Sequence, residues 1–240
     1  MEFSRALETG RLIKRYKRFL ADVKLDSGAT ITAACPNTGS MLGCNVPGSR
    51  VWLSSSDSPT RKYRHTWELV EARPGVIVGI NTGYPNRLVV EAIDAQVIKE
   101  IRGYPDIKTE VRYGNENSRI DILLDGHRKK PACYVEVKNV TAAVEAGIAL
   151  FPDAVSERGS KHLRELMAMV AEGFRAVLIF CVQRGDVHEV RPADAIDPVY
   201  GRTLRQALAS GVEVLAYRAR ISPQEVVLEQ KIPVVCPELK

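Results

Sequence analysis

Two short apolar runs each carry charge at their centre, and nothing else in the chain restricts its fold as strongly. One reads Cys133-Tyr134-Val135-Glu136-Val137-Lys138-Asn139-Val140, and the earlier one reads Arg119-Ile120-Asp121-Ile122-Leu123-Leu124. A strand alternates its side chains between two faces, so Glu136 and Lys138 share one face while Val135 and Val137 share the other. Charges in strands this apolar are expensive to bury unless they are paired, hydrogen-bonded or bound to a metal. An Asp on one strand followed by Glu-x-Lys on the next is the residue set of a metal-dependent phosphodiesterase site. The competing reading is an ion-pair patch on a solvated face, since exposed charge pairs are common and contribute little.

At 240 residues the chain suits one large domain or two small ones. A formal charge of +5 permits a polyanionic partner without demanding one. The five cysteines, Cys35, Cys44, Cys133, Cys181 and Cys236, are scattered and lack zinc-knuckle spacing. Cys133 and Cys181 sit in apolar runs and read as buried thiols. The start of the chain has no apolar core of signal-peptide length, and no run approaches the roughly 20 apolar residues that span a bilayer. A reduced cytoplasm is the expected location, with no membrane partner.

The pattern changes near residue 85. Before it, residues 11–24 form one alternating run, Asp26-Ser27-Gly28 signals a turn, and residues 29–34, 50–54, 63–71 and 75–80 read as further strands. About five short strands with little helix fit an OB-fold barrel over residues 1–85, and an SH3-like barrel fits almost as well. From Asn86 to Ile101 the apolar spacing is helical, and Gly103-Tyr104-Pro105 stops it. Residues 109–113, 119–124 and 133–140 then read as strands, with turns at 114–117 and 125–126. Residues 156–173 form the clearest amphipathic helix, carrying Leu163, Leu166, Met167 and Val170 on one stripe. A strand at 176–182, a helix at 198–210 and a strand at 212–217 follow. Helix, three strands, helix, strand, helix, strand describes a mixed sheet flanked by helices over residues 86–240.

Phosphodiester hydrolysis needs shielding of the anionic phosphoryl group, a nucleophilic water and help for the leaving oxygen. Mg²⁺, or Mn²⁺ in its place, serves all three through one or two carboxylates while keeping positions for water and phosphate. Asp121 and Glu136 are the expected carboxylate ligands, with the Val137 carbonyl as a further one. Lys138 is placed to hold the attacking water or to stabilise phosphate charge, and Glu91 in the preceding helix is a candidate for polarising water. Asp121 precedes Glu136 by fifteen positions, the length of a hairpin.

This order of elements, with Asp121 and Glu136-x-Lys138, resembles the PD-(D/E)xK nuclease fold. More specifically, the chain resembles the sugar fermentation stimulation protein A (SfsA) family. The matching stretches are Cys35-Pro36-Asn37-Thr38-Gly39-Ser40-Met41, Pro85-Asn86-Arg87-Leu88-Val89, Asn117-Ser118-Arg119-Ile120-Asp121, Tyr134-Val135-Glu136-Val137-Lys138-Asn139-Val140-Thr141, and Phe151-Pro152-Asp153-Ala154-Val155 continuing through Arg158-Gly159-Ser160-Lys161-His162-Leu163. The resemblance implies a two-domain α+β/α/β protein, an N-terminal OB-fold-like β-barrel followed by a PD-(D/E)xK nuclease-like mixed sheet flanked by helices. It also implies DNA binding and a role as a regulator of sugar (maltose) metabolism. Asp121, Glu136 and Lys138 carry over to the nuclease motif position by position, Glu91 less directly. Pro152-Asp153 follows the Glu-x-Lys strand and is not the motif's leading Pro-Asp. Many nucleases of this fold act as dimers, so a homodimer is one expectation, although no sequence feature marks an interface.

Candidate DNA contacts fall in three places. Arg158, Lys161 and His162 share the polar side of the helix after the Glu-x-Lys strand, where they reach phosphate or simply face solvent. In the first domain, Arg15-Tyr16-Lys17-Arg18-Phe19 and Arg61-Lys62-Tyr63-Arg64 interleave bases with aromatics, as in single-strand-binding grooves. The aromatics there are either stacking platforms or barrel core. Asn37 and Thr38 lie in a loop whose amides suit phosphate and whose Pro-Asn-Thr-Gly composition also suits a plain turn. Single-stranded and duplex DNA remain equal expectations, and a non-catalytic DNA-binding regulator is the alternative to a nuclease. No helix-turn-helix pattern is evident.

Overall fold

The computed structural model describes residues 1–114, 118–143 and 147–238. Asn117, part of one matching stretch and of the expected turn at 114–117, lies outside the described residues, as do Asn115 and Glu116. The first domain contains β1 (Glu8–Tyr16), β2 (Leu20–Leu25), β3 (Thr30–Ala34), β4 (Arg50–Ser55), β5 (His65–Arg73) and β6 (Val76–Gly79). Its ladder runs β3-β2-β1-β4-β5-β6, and a parallel contact of β3 with β5 closes the first five strands into a barrel. Closure by that pairing gives the OB topology. Leu12, Val23, Val51, Leu53, Trp67 and Val70 fill the interior. Gly10 is required where β1 crosses β2, since a Cβ there would lie 2.6 Å from the Lys24 carbonyl oxygen.

The single run expected at 11–24 is a hairpin. Lys17 and Arg18 turn the chain in the left-handed region, at φ +50° and +64°. Neither is glycine or asparagine, so the turn has no compositional signal. It is held instead by guanidinium groups. Arg15 Nη2 donates to the carbonyls of Arg18, Asn37 and Gly39, and Arg18 Nε donates to that of Thr38.

The second domain comprises α1 (Pro85–Asp94), β7 (Asp106–Tyr113), β8 (Ser118–Asp125), β9 (Cys133–Val140), β10 (Gly147–Phe151), α2 (Glu157–Ala171), β11 (Arg175–Val182), β12 (Val187–Pro192), α3 (Pro198–Ala209), β13 (Glu213–Ile221) and β14 (Val226–Ile232). The main sheet has the order β14-β13-β11-β9-β8-β7, parallel across β9, β11 and β13 and antiparallel at both edges. Alternate residues of β11 divide between two cores. Val177, Ile179 and Cys181 pack under α1, whereas Leu178, Phe180 and Val182 pack under α2 and α3. All five cysteines are free, and Cys133 and Cys181 are buried as expected.

Two features depart from the sequence expectation. The helix expected to reach Ile101 ends at Asp94, because Gln96 adopts φ +58°. Gln96 and Val97 then donate their amides to the carbonyls of Ile93 and Ala92, closing the helix as a Schellman turn without its usual glycine. In addition, β10, β12 and β14 were not expected. β12 carries His188, Glu189 and Arg191 between its apolar residues, pairs with the short β10 and bridges from Val190 to Val234.

The domains are clasped by residues from the matching stretches. Asp153 Oδ2 accepts bonds from Ser40 Oγ (3.0 Å) and the Met41 amide (3.1 Å) of the barrel loop. A Cβ on Gly39 would sit 2.9 Å from the same oxygen, so a larger residue there would displace the Asp153 carboxylate. Nearby, Thr82 Oγ1 donates to the Pro36 carbonyl. Removing both bonds by Asp153→Ala is expected to lower stability by about 1–3 kcal/mol, while Asp153→Asn retains most of it. Urea unfolding of the three proteins checks this, and an alanine variant as stable as the parent contradicts the clasp.

Candidate active site

Asp121 sits where the β8–β9 ladder stops. The last pairing is Ile122 with Val135, so the Val137 amide, two residues further along β9, is free to turn to a side chain. The Val137 amide donates to Asp121 Oδ2 at 2.7 Å. On the other side, Glu110 of β7 interrupts the ladder opposite Asp121 and adopts φ +55°. That conformation costs a non-glycine residue on the order of 1 kcal/mol. Flanking Asp121, Ile120 and Ile122 enter different cores, so the backbone rotates at the acid. Asp121 Oδ1 accepts from Asn86 Nδ2 at 2.9 Å, from the first turn of α1.

Glu136 is 2% exposed on the opposite face of β9 from Val135 and Val137. Lys138 Nζ donates to its Oε1 at 2.7 Å, and His162 Nδ1 of α2 contacts the same oxygen. Arg158 Nε donates to His162 Nε2 at 3.2 Å. The ring proton is therefore assigned to Nδ1, which donates to Glu136. Glu136 Oε2 is buried with no hydrogen-bond partner among the described residues. α2 can present His162 here because Ser156 caps its first turn, accepting the Gly159 amide.

The two carboxyls are shifted in opposite directions. Burial, and then the nearby Glu136 charge, raises the Asp121 carboxyl, and its hydrogen bonds and Lys138 only partly offset that. Burial also pushes Glu136 up, but the His162 bond and the Lys138 charge outweigh it and hold the group below the ordinary glutamate value.

Of the expected residues, the structure thus brings together Asp121, Glu136, Val137 and Lys138, with Arg158 and His162 behind them. His162 is buried and turned toward β9 rather than on the solvated side of α2, because its ring is drawn to Glu136. Lys161 is half-buried one position earlier. Glu91 stands apart: its oxygens are taken by the Met1 ammonium (2.6 Å) and Arg87 (2.8 Å). The α1 residue that reaches the acid is Asn86, whose only signal was its place in a matching stretch. In the barrel, the Arg15 and Arg18 guanidiniums bind loop carbonyls, and buried Asn37 accepts the Gly39 amide while Thr38 stays exposed. Arg61 donates to Thr66 Oγ1, Arg64 pairs with Asp57, and Lys62 lies 5.7 Å from the Tyr63 ring centroid. Lys17 is exposed.

A family model described as "Sugar fermentation stimulation protein RE domain" matches residues 83–225, and one described as "SfsA N-terminal OB domain" matches residues 13–80. A sugar fermentation stimulation protein homolog from Thioalkalivibrio sulfidiphilus is 64% identical over 235 residues, 98% of each chain. Another from Geobacter metallireducens is 58% identical over 98% of this chain and 100% of the relative. Among solved structures, that of Pyrococcus furiosus SfsA in complex with Ca²⁺ aligns with a TM-score of 0.86 at 26% identity, covering 98% of both chains.

An acid whose pKa is higher folded than unfolded binds protons more tightly in the fold. Its ionised form therefore opposes folding above that window, and the penalty fades as the pH falls through it. Asp121→Asn keeps an oxygen for the Val137 amide and removes this penalty. It is expected to raise the thermal midpoint by a few degrees at about pH 8 and to lose the advantage near about pH 4. Thermal unfolding at both pH values measures the effect; a variant no more stable at the higher pH contradicts a burdened Asp121.

Proposed function

The chain belongs to the sugar fermentation stimulation protein (SfsA) family, and on that premise we propose that it binds DNA and cleaves phosphodiester bonds at Asp121, Glu136 and Lys138 with Mg²⁺ or Mn²⁺. The observation that carries this is Glu136 Oε2, a buried carboxylate oxygen with no hydrogen-bond partner among the described residues, on the strand next to that of Asp121, whose carboxyl is raised by burial and then by the Glu136 charge. Two ionised carboxylates this close repel unless a cation lies between them. Hard oxygen donors from two strands suit Mg²⁺, which keeps much of its water shell. Among the described residues no three acidic, histidine or cysteine side chains form a ready cage, so the donors proposed are two carboxylates and a backbone carbonyl. The Ca²⁺ belongs to the Pyrococcus protein; the choice of Mg²⁺ or Mn²⁺ here rests on the reaction.

Asp121 and Glu136 would hold the cation, with the Val137 carbonyl as a third donor. When bound, it neutralises phosphoryl charge and lowers the pKa of a water. The chain's own groups do the rest. Asn86 and the Val137 amide fix the Asp121 carboxyl, and His162, backed by Arg158, fixes Glu136. Lys138 releases Glu136 to hold the attacking water or to meet charge on the phosphoryl oxygens. Its ammonium is already at the site, 3.2 Å from the His162 ring.

Among the described residues no helix is long and apolar enough to cross a membrane, and a cytoplasmic location belongs to the proposal. So does action as a homodimer. A second reading, DNA binding without turnover in a regulator of sugar metabolism, is favoured by one observation. Lys138 and His162 already satisfy Glu136 Oε1, so half of the carboxylate is held without a cation.

With duplex and single-stranded DNA and millimolar Mg²⁺ or Mn²⁺, the protein is expected to cleave, and Asp121→Ala to lower the rate by about a hundredfold or more. Equal background cleavage by the two proteins removes the catalytic claim. The regulator reading then predicts binding that weakens steeply with salt and survives Glu136→Gln.

A further inference from the structure

The β1–β2 hairpin ends in an aromatic side chain that the fold leaves in solvent. Phe19 is 51% exposed and is the one aromatic residue in the exposed class among the described residues. Tyr16, its neighbour in the same basic stretch, is tied to Asp22 through its hydroxyl at 3.1 Å, and Tyr63 is half-buried. The backbone carrying Phe19 is fixed rather than loose. Lys17 and Arg18 are both left-handed, and the Phe19 carbonyl accepts the Cys35 amide at 2.7 Å. Arg15 and Arg18 lock the turn onto the loop at residues 37–39. Two non-glycine residues held in that region mark a turn whose shape the surroundings impose.

The hairpin that carries the ring is basic. Arg11, Lys14, Lys17 and Arg18 are exposed along the same hairpin. Arg15 and Arg18 have their guanidiniums on carbonyls, and Lys14 lies 3.6 Å from Asp22, whereas Lys17 has no polar partner among the described residues. The loop to which the turn is locked lines a cleft of about 190 Å³ between the domains, together with Thr82, Asn139 and Asp153. Asn139 directly follows Lys138 on β9. An exposed apolar ring two residues from the exposed Lys17, on a turn bonded to the loop that lines this cleft, fits a chain of alternating bases and phosphates.

We infer that Phe19 is a stacking platform for an unpaired base of single-stranded DNA, with Lys17 contacting the adjoining phosphate. This deepens the DNA-binding reading above and rests on it. A ring this exposed can stack on an unpaired base, and a duplex, whose bases are stacked inside, cannot use it. Arg15 and Arg18 are then positioning residues that hold the tip rather than phosphate ligands.

The test is fluorescence anisotropy with a labelled oligothymidylate of about fifteen nucleotides, the same backbone without bases, and a duplex. Phe19→Ala is expected to weaken the oligothymidylate by about tenfold or more, with the abasic strand and the duplex unchanged and Phe19→Trp restoring affinity. Lys17→Ala is expected to weaken the oligothymidylate and the abasic strand alike and to lower the salt slope by about one. Phe19→Ala binding oligothymidylate as the parent does overturns the stacking role and leaves the DNA-binding reading standing. Equal losses on all three probes also overturn it, since no base is then read. Failure of the unmodified protein to bind any of the three overturns both.

Discussion

A carboxylate buried in a β-sheet needs positive charge, donors or a cation around it, and the second domain is organised around that demand at Glu136. Lys138 supplies a charge from the same strand face, and α2 supplies the His162 ring from across the layer. Arg158 holds the ring from behind. α2 is therefore both a core helix, through Leu163 and Leu166, and the mount for the partner of Glu136. Glu136 Oε2 is left without a hydrogen-bond partner among the described residues, while Asp121 on the neighbouring strand is raised by burial and by the Glu136 charge.

The arrangement of Asp121 follows from a break in regularity. Had β8 and β9 stayed paired past Ile122 and Val135, the Val137 amide would have bonded across the ladder. The strands part, the amide turns to the carboxylate, and Glu110 takes a left-handed conformation opposite. The barrel is then locked against this domain by Asp153, so the Pro-Asp pair that follows β9 binds the two domains together.

Much of this was legible in the sequence, and for identifiable reasons. Period-two and helical spacing placed four of the six first-domain strands, five of the six strands of the main sheet and all three helices, α1 with its end too late, because those segments bury one face against a core. Charges in the apolar runs gave the Asp121, Glu136 and Lys138 set. What escaped depended on contacts between distant segments. The Lys17–Arg18 turn is imposed by Arg15 reaching the loop near Gly39, and the early end of α1 by Gln96 in place of a glycine. His162 sits on a helix whose apolar stripe predicts which residues are core but not which polar residue meets a buried acid. Asn86 gave no chemical signal, since its role exists only where the first turn of α1 meets the end of a ladder.

The central claim is that Asp121 and Glu136 form a cation site from which Lys138 steps aside. Anomalous diffraction from crystals soaked in Mn²⁺ tests it most directly. A cation site there gives a peak within coordination distance of Asp121 and of Glu136 Oε2, with Lys138 Nζ moved off Oε1, and no such peak in Glu136→Gln. An ordered site with no peak between the two carboxylates, or a peak unchanged in the variant, would contradict it.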